Sequence, residues 1–467
     1  MARNQHAVIW TSISGTPQKM GDLVLTEEQS LFTYTKNYLE SGLAGFSLLG
    51  DARIWGDDTV TYPVSERIPV FPRLLSLIPG NNPRNLQRRH YLNMLRSKLG
   101  KEPPPGLETE WQLLVMGGHG GIGHIDIFEN DIRAENWYQP DSNHTRKAHL
   151  VSGSRSELWR MLKHEVLDEN IDFDPQIIEQ TLGPTPSVGG MIPKLLVSID
   201  PASPDQARFY PPNKPIQTTT GQHTDVVLKI EPPEYQGLLD LEALCLELHR
   251  EAGFAVPDFY RYSHDSLEFL AIERFDRKNG QVIPMESLFS VIATGDHQFR
   301  ETGDILLDEL GTIFQQLGHI ATLPDNTLEQ LYQRFLMALL TGNGDLHLEN
   351  ISLLGGLANC RLSPIYDPAP MRAWPRHNII SAIPFDPHQY SSHTAFFIDL
   401  GHTFGLSQEQ THHCIRQILE HTRSYTERIM ALSRVPLKQR KQLVDIVNLE
   451  HQQLEKLANQ PGILPVN

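Results

Sequence analysis

A short polar loop and one later aspartate constrain this chain more than any other feature. The loop runs Gly344-Asp345-Leu346-His347-Leu348-Glu349-Asn350, and Asp367 follows after two short β-like runs and a Gly355-Gly356 turn. The pattern predicts a loop, a hairpin and then a lone carboxylate. Asp345 suits a proton acceptor, whereas the Asn350 amide oxygen and the Asp367 carboxylate suit Mg²⁺.

An Asp five residues before an Asn, with another Asp beyond a hairpin, is how protein-kinase-like folds arrange phosphoryl transfer. The alternative is a surface loop and hairpin whose Asp and Asn side chains only cap turns. Three earlier segments stand in the order that a kinase requires, and this joint order favours the phosphoryl-transfer interpretation.

The first of these segments is Ser187-Val188-Gly189-Gly190-Met191-Ile192-Pro193-Lys194. Gly189 and Gly190 predict a turn between strands, where backbone N–H groups can approach phosphate oxygens without side-chain obstruction. The segment has neither Walker A nor G-x-G-x-x-G spacing, and an ordinary hairpin turn has the same composition.

The other two segments contain a lysine, a helical glutamate and the end of an apolar strand. Lys229 lies in the apolar run 226–230, and Glu242 lies in the predicted helix 238–252. Their order suits a Lys–Glu pair near nucleotide phosphates, although a surface Lys and a surface Glu are common. The run 269–276 contains Glu273 and Phe275, and it ends a strand at the expected lobe junction, where kinase-like folds bind adenine through the backbone. A plain strand end is the alternative.

Composition narrows the functional classes. The 467 residues include 40 Lys+Arg and 56 Asp+Glu, a net charge of −16, which disfavours nonspecific binding to nucleic acid. Cys245, Cys360 and Cys414 are widely spaced, which fits neither a disulfide framework nor a CxxC metal site and indicates a reducing compartment. With no signal peptide evident and no apolar run of membrane-spanning length, we expect a cytoplasmic protein.

A second glycine motif points elsewhere. Gly118-His119-Gly120-Gly121-Ile122-Gly123 fits G-x-G-x-x-G, and residues 112–116 and 124–128 on either side read as β-like runs. A dinucleotide fingerprint requires a helix after the glycines, so a glycine-rich hairpin is favoured.

Helical periodicity is found in five further segments: residues 85–99, 306–317, 327–340, 408–432 and 437–457. A β-rich half followed by a helical half indicates an α+β fold in two lobes.

With these segments in order, the chain resembles the HipA family of toxin kinases over nearly its full length. Residues 187–194 look like that family's S-x-x-G-x-x-x-K loop, and residues 273–277 look like its E-R-F-D-R segment. The Asp345 loop and Tyr366-Asp367 look like its catalytic and metal-binding loops. The predicted divisions are an N-terminal HipA-like subdomain (1–130), a kinase N-lobe (131–275) and a helical kinase C-lobe (276–467).

The resemblance implies a bacterial Ser/Thr protein kinase that uses ATP and Mg²⁺. It implies Asp345 as the catalytic base, Asn350 and Asp367 as Mg²⁺ ligands, and Ser187 as the autophosphorylation site. Lys229 would contact the nucleotide phosphates, and the backbone of Glu273 and Phe275 would contact adenine. The full expected nucleotide site comprises Gly189, Gly190, Lys194, Lys229, Glu242, Glu273, Phe275 and His347.

The resemblance also implies partners. These are a small helix-turn-helix antitoxin, HipB-like, through which the chain reaches DNA only indirectly, and a protein substrate. Known substrates of the family are aminoacyl-tRNA synthetases, whose phosphorylation arrests growth. No membrane partner is implied.

Two departures from the family pattern keep other functions open. Met191-Ile192 makes the glycine turn bulkier, and Glu349 places a carboxylate beside Asn350 that would oppose the transferring phosphoryl group if it pointed inward. One alternative is therefore a catalytically weak kinase-like module with a regulatory, DNA-associated role. Another is a small-molecule phosphotransferase, which shares the Asp-x-x-x-x-Asn loop.

Overall fold

The chain forms two compact units. The computed structural model describes residues 4–81, 85–139, 157–169, 192–202, 223–278, 281–299, 301–375, 377, 382–386, 390 and 392–458. The sheet unit comprises Met1–Tyr235, Asp258–Glu286 and Ser290–Arg300, and the helical unit comprises Gln236–Pro257, Ser287–Phe289 and Glu301–Asn467.

The first sheet of the sheet unit contains, among the described residues, five antiparallel strands in the order β4-β3-β2-β1-β5. The strands are β1 (Gln5–Thr11), β2 (Gln18–Leu25), β3 (Gln29–Tyr34), β4 (Thr59–Pro63) and β5 (Asp126–Phe128). Every second residue of β3 is buried, as expected for a sheet with one packed face. Because β5 pairs with β1, the glycine motif that precedes β5 is held at the edge of this sheet.

Helices flank the strands of the sheet unit. They are α1 (Lys36–Ser41), α2 (Ala52–Trp55), α3 (Pro72–Leu75), α4 (Leu86–Leu99), α5 (Leu107–Gly117), α6 (Asp131–Tyr138) and α7 (Glu157–Leu167). The predicted helix 85–99 is confirmed as α4. Its N-cap Asn85 accepts a hydrogen bond from the Arg88 N–H, and Gly100 ends it in the left-handed region.

The β-like interpretation of residues 112–116 was wrong, because these residues lie inside α5. Leu113 and Leu114 are buried, and a short apolar run of this kind looks alike in a strand and in a buried helix. Glu108 and Glu110 in the first turn were the available helix signal. The glycines therefore connect a helix to a strand, which is neither a hairpin nor the strand-to-helix order of a dinucleotide fingerprint.

The second sheet of the sheet unit has the antiparallel order β6-β7-β9-β8 in the part of the chain that is described. Its strands are β6 (Lys194–Ile199), β7 (Thr224–Ile230), β8 (Phe259–His264) and β9 (Leu267–Glu273). Trp159 and Leu162 of α7 belong to the same buried cluster as Val197, Leu228 and Phe269 on one face. Since strand side chains alternate, the intervening residues point to the other face.

Short strands follow β9. They are β10 (Arg277–Lys278), β11 (Gln281–Val282) and β12 (Met285–Ser287). β10 and β11 pair with each other as a hairpin.

The helical unit contains most of the predicted helices. Its described elements include α8 (Leu238–Glu251), the start of α9 (Leu288–Gly295), α10 (Glu309–Gly318), α11 (Thr327–Thr341), α12 (His393–Thr403), α13 (Gln408–Thr422), α14 (Tyr425–Ala431) and α15 (Leu437–Ala458), with the hairpin of β13 (Ser352–Leu354) and β14 (Arg361–Leu362). The predicted helix 408–432 is divided between α13 and α14. The last two turns of α11 are buried on all sides, so α11 is the core helix that leads into the Asp345 loop.

Within the described ranges, no helix is both long enough and apolar enough to cross a bilayer.

Acidification is expected to weaken the fold through His124. A ring nitrogen of this buried histidine lies 2.9 Å from the Gly45 carbonyl oxygen. Burial, together with the nearby Arg73 charge, lowers the pKa of His124 from 6.5 to about 3. Between these two values the unfolded chain binds a proton that the folded chain does not, so stability is lost as the pH falls from 6.5 towards 3.

Urea unfolding over a pH series measures this effect. Each such proton contributes about 1.4 kcal/mol per pH unit to the slope of the unfolding free energy. Within this pH range, the slope for His124→Gln should be smaller than the parental slope by about 1.4 kcal/mol per pH unit. Equal slopes for parent and His124→Gln would contradict a buried neutral histidine.

Candidate functional site

Asparagine side chains shape the loop that carries Asp345. α11 ends at Gly342, whose φ of 73° lies in the left-handed region, and the chain then turns at Asn343. The buried Asn343 side chain accepts a hydrogen bond from the Asp345 N–H at 2.8 Å. The Asp345 backbone is thereby fixed, while its side chain remains 38% exposed. A carboxylate in this position can meet a substrate without moving its backbone.

Asn350 closes the same loop. Its Nδ2 donates to the Asp345 carbonyl oxygen at 2.7 Å, and its backbone N–H donates to the His347 carbonyl oxygen at 2.9 Å. Only the nitrogen end of an amide can donate, so this bond orients the side chain and leaves Oδ1 as the atom that can ligate a cation. His347 Nε2 lies 3.9 Å from Asp345 Oδ1. The structure therefore brings Asp345, His347 and Asn350 together in one loop.

Tyr366 connects this loop to the segment that carries Asp367. Its hydroxyl donates to the Glu349 carbonyl oxygen at 2.8 Å and lies 2.6 Å from Ser352 Oγ at the start of β13. Asp367 follows with a φ of 52°, a left-handed conformation that is uncommon for a residue with a side chain. Such conformations persist where the surroundings enforce them, and they concentrate at functional sites.

Glu349 is the departure from the family pattern that lies inside this loop. Its side chain is 66% exposed, and Oε2 lies 4.0 Å from His347 Nδ1. Solvent screens an exposed carboxylate strongly, so its opposition to a phosphoryl group is weaker than an inward orientation would produce.

The chemistry of the ligands fits Mg²⁺. Asn350 offers an amide oxygen and Asp367 a carboxylate, and Mg²⁺ is commonly held by one or two such oxygens together with substrate phosphates and water. In the described ranges, no group of three or more His, Cys, Asp or Glu side chains is placed to hold a metal by itself. The residues thus fit a metal that is bound jointly with a phosphate ligand.

Two lysines lie side by side in the sheet unit. Lys194 of β6 is paired in register with Lys229 of β7, so the two side chains point to the same face of the sheet. They are only 5% and 3% exposed. Adjacent buried cations of like charge are most stable beside anions. This arrangement is chemically suited to phosphate groups.

Glu273 and Phe275 lie where β9 ends. The Glu273 N–H donates to the Asp258 carbonyl oxygen at 2.8 Å, and a Glu273 carboxylate oxygen accepts from the Tyr260 hydroxyl at 2.8 Å. Partial burial and the neighbouring Glu273 raise the pKa of Tyr260. The predicted strand end is confirmed, and its adenine contact stays a prediction.

Some predicted site residues cannot be placed beside the others. Ser187, Gly189 and Gly190 lie outside the described residues. Glu242 is buried on α8 in the helical unit, whereas Lys229 belongs to the sheet unit, and their pairing stays a prediction.

Several supporting groups were not predicted from the sequence, including the Asn343 side chain, the Tyr366 hydroxyl and Arg334. Arg334 of α11 is buried, and its guanidinium donates to the Ser363 carbonyl oxygen beside β14. Burial lowers the pKa of Arg334 to about 10. The sequence signal for this role was the position of Arg334 immediately before the apolar run 335–340. An arginine so placed is expected to be buried, and a buried arginine requires specific hydrogen-bond acceptors.

Comparison with known proteins identifies the family. An α+β fold with a carboxylate-and-amide loop and two paired lysines is consistent with the kinase-like class of proteins. Residues 186–425, slightly more than half of the chain, match the model of the HipA-like C-terminal domain. The chain belongs to this HipA-like family.

The similar proteins agree with this assignment. A Haemophilus influenzae protein named "Putative kinase" is 30% identical over 161 residues, or 32% of this chain and 46% of that protein. "Putative kinase Y4dM" of Sinorhizobium fredii is 25% identical over 157 residues, or 30% of this chain and 36% of that protein. The chain thus spans less than half the length of these curated relatives.

The fold has a solved counterpart. The structure of HipA from Shewanella oneidensis, in a complex with HipB and operator DNA, matches with a TM-score of 0.61 and 17% identity. The match covers 96% of this chain and 97% of that one. It confirms the predicted α+β, HipA-like fold.

Removing the Tyr366 hydroxyl should loosen the loop locally. In Tyr366→Phe, the Glu349 carbonyl and the Ser352 hydroxyl lose their shared partner, so we expect the unfolding free energy to fall by about 1–3 kcal/mol. The control Tyr38→Phe removes another hydroxyl-to-carbonyl bond, 2.6 Å to Ala44, far along the chain. Hydrogen exchange should accelerate at residues 345–367 in Tyr366→Phe only. Unchanged exchange there would contradict the connecting role.

Proposed function

We propose that this chain is a HipA-type serine/threonine protein kinase that uses ATP and Mg²⁺. The observation that carries the proposal is the hydrogen bond from Asn350 Nδ2 to the Asp345 carbonyl oxygen at 2.7 Å. It places an exposed carboxylate and an oriented amide oxygen on one rigid loop. A phosphoryl-transfer site needs this combination, because one group handles the hydroxyl proton and the other holds the metal.

In the proposed reaction, the substrate hydroxyl oxygen forms a bond to the γ-phosphorus of ATP. The bond between that phosphorus and the bridging oxygen breaks, ADP leaves, and Asp345 accepts the hydroxyl proton. Asn350 and Asp367 would hold Mg²⁺, which supplies positive charge beside the phosphate oxygens when it is bound. The Asn343 hydrogen bond fixes the Asp345 backbone, the Asn350 Nδ2 bond orients its amide oxygen, and the Tyr366 hydroxyl holds the residue before Asp367 to the loop.

We assign nucleotide binding to residues of both units, together with Gly189 and Gly190, which lie outside the described residues. Lys229 and Lys194 would bind phosphate oxygens, with the backbone of Gly189 and Gly190 contributing N–H groups. The backbone of Glu273 and Phe275 would contact adenine. Glu242 and His347 complete the proposed set, as partner of Lys229 and as neighbour of Asp345. The burial and in-register pairing of Lys194 and Lys229 support this assignment.

We further propose regulation and partners of the HipA type. Ser187 would be the autophosphorylated residue, and a HipB-like helix-turn-helix antitoxin would bind the chain and connect it to DNA. The solved counterpart is itself a complex with HipB and operator DNA, and the net charge of −16 disfavours direct DNA binding. The protein substrate would carry a Ser or Thr hydroxyl, with an aminoacyl-tRNA synthetase as the first candidate to test.

Two substitutions test the reaction. Asp345→Asn removes the proton acceptor and Asp367→Asn removes a metal ligand, so each should reduce phosphoryl transfer by about 10²–10⁴-fold. The assay is intact-mass analysis of the purified chain, alone and with an aminoacyl-tRNA synthetase, after incubation with ATP and Mg²⁺. The control Asp399→Asn changes a helical carboxylate that bonds Tyr390 and should retain activity. Parental activity in both site variants would refute the assignment.

A third substitution tests autophosphorylation. Ser187→Ala should lack the added phosphate while still transferring phosphate to a protein substrate. A phosphate retained in Ser187→Ala but absent in Asp345→Asn would leave the kinase assignment intact and place the modification elsewhere. Phosphate found only on a sugar, an amine or an antibiotic would instead identify a small-molecule phosphotransferase.

A further inference from the structure

Residues 118–123, the glycine loop, contact residues 273–277, the strand-end segment, within the sheet unit. The fully buried Arg274 side chain donates to the carbonyl oxygens of Gly120 at 3.1 Å and Gly121 at 2.6 Å. Glycines leave their carbonyl groups open to such a close approach, since no side chain covers them. The loop thereby supplies the acceptors that a buried guanidinium requires.

A second arginine repeats the contact from the other end of the segment. Arg277 donates to the Gly121 carbonyl at 2.8 Å and to the Gly123 carbonyl at 2.7 Å. In the opposite direction, the Gly123 N–H donates to Asp276 Oδ2 at 2.7 Å. The loop is therefore held to the segment by hydrogen bonds in both directions.

The segment is also closed on itself around Phe275. Arg274 donates to Asp276 twice, from Nε at 3.0 Å and from Nη2 at 2.7 Å. The Arg274 N–H is bound to the Asp225 carbonyl oxygen, and the Asp276 carbonyl oxygen accepts from Ile283. Phe275 thus stands at the apex of a turn whose two sides are fixed by buried bonds.

We propose that the glycine loop is a positioning element for the nucleotide base, acting through Arg274 and Arg277 on the backbone of Glu273 and Phe275. The inference rests on the proposed function, which assigns this backbone to adenine. Backbone groups recognise a base edge only when they are placed accurately, because a hydrogen bond weakens steeply as its distance and angle depart from the preferred values. We therefore expect the loop to set the preference for adenine over guanine nucleotides, and the paired lysines to set phosphate affinity independently.

Gly123→Ala and Arg277→Lys disturb the contact from its two sides. At Gly123 the φ is +87°, and an added Cβ would lie 2.3 Å from Arg73 Nη2. Lysine retains the charge of Arg277 but cannot donate to two carbonyls in a fixed fork. Gly100→Ala is the matched control, because Gly100 has a φ of +67° and nothing within 4 Å of an added Cβ.

Calorimetric titration of the full chain with ATP, GTP and inorganic tripolyphosphate tests the proposal, alongside melting temperatures. Both Gly123→Ala and Arg277→Lys should bind ATP about 10-fold more weakly, with a reduced ratio of ATP affinity to GTP affinity and parental affinity for tripolyphosphate. Gly100→Ala should keep the parental ratio. The positioning role would be overturned if folded Arg277→Lys or Gly123→Ala kept the parental ratio of ATP to GTP affinity, or if Gly100→Ala lost as much of it. Either result would leave the proposed kinase function standing. If the parent binds tripolyphosphate but neither nucleotide, or no ligand at all, the proposed function fails and this inference fails with it.

Discussion

The buried pair of Arg274 and Asp276 is the interaction on which the sheet unit most depends. Burial by itself would raise the pKa of Asp276, but Arg274 and Arg277 outweigh it and lower the value to about 2. An unpaired ion in such surroundings costs several kcal/mol. The glycine carbonyls accept the remaining guanidinium hydrogens, so the network is satisfied only while the first sheet, the glycine loop and the end of β9 keep their positions. Removing Asp276 would leave the buried guanidinium groups of Arg274 and Arg277 without the carboxylate that both of them bind.

In the helical unit, neutral amide side chains rather than charged ones bind the backbone groups of a sharp turn. The Asp345 loop follows a helix that is buried on all sides, and it must turn sharply without leaving N–H and carbonyl groups unbound. Asn343 accepts from one backbone group and Asn350 donates to another, so two amides replace the helical hydrogen bonds that end at Gly342. Amides carry no charge, and they order the loop without fixing a counterion beside Asp345. The backbone of this loop can therefore be ordered while the Asp345 carboxylate remains accessible.

The sequence was most informative where local rules decide the structure. The helical spacing of apolar residues over 85–99 predicted α4 closely, and the two β-like runs around Gly355-Gly356 predicted a hairpin that the structure has. The helix at 112–116 was missed because an apolar run has the same local pattern in both kinds of element.

The contacts that could not be predicted are those made between distant parts of the chain. Lys194 and Lys229 become neighbours only through the register of β6 with β7, and a slip of one residue would turn them to opposite faces. The role of the glycine motif could likewise not be predicted, because its carbonyl oxygens accept hydrogen bonds from arginines more than 150 positions away. Hydropathy and turn rules describe short windows, so they identify the residues of such a site before they can assemble them.

Exposure separates the two kinds of carboxylate in this chain. Asp276 is 2% exposed and is surrounded by guanidinium and N–H donors, so its charge is permanent and its position is structural. Asp345 is 38% exposed and is fixed through its backbone instead of its oxygens. A group that must accept and release a proton needs oxygens that are accessible and not saturated with donors. The same residue type can therefore order one segment and be suited to proton transfer in another, and the hydrogen bonds to its backbone or to its carboxylate distinguish the two kinds of position.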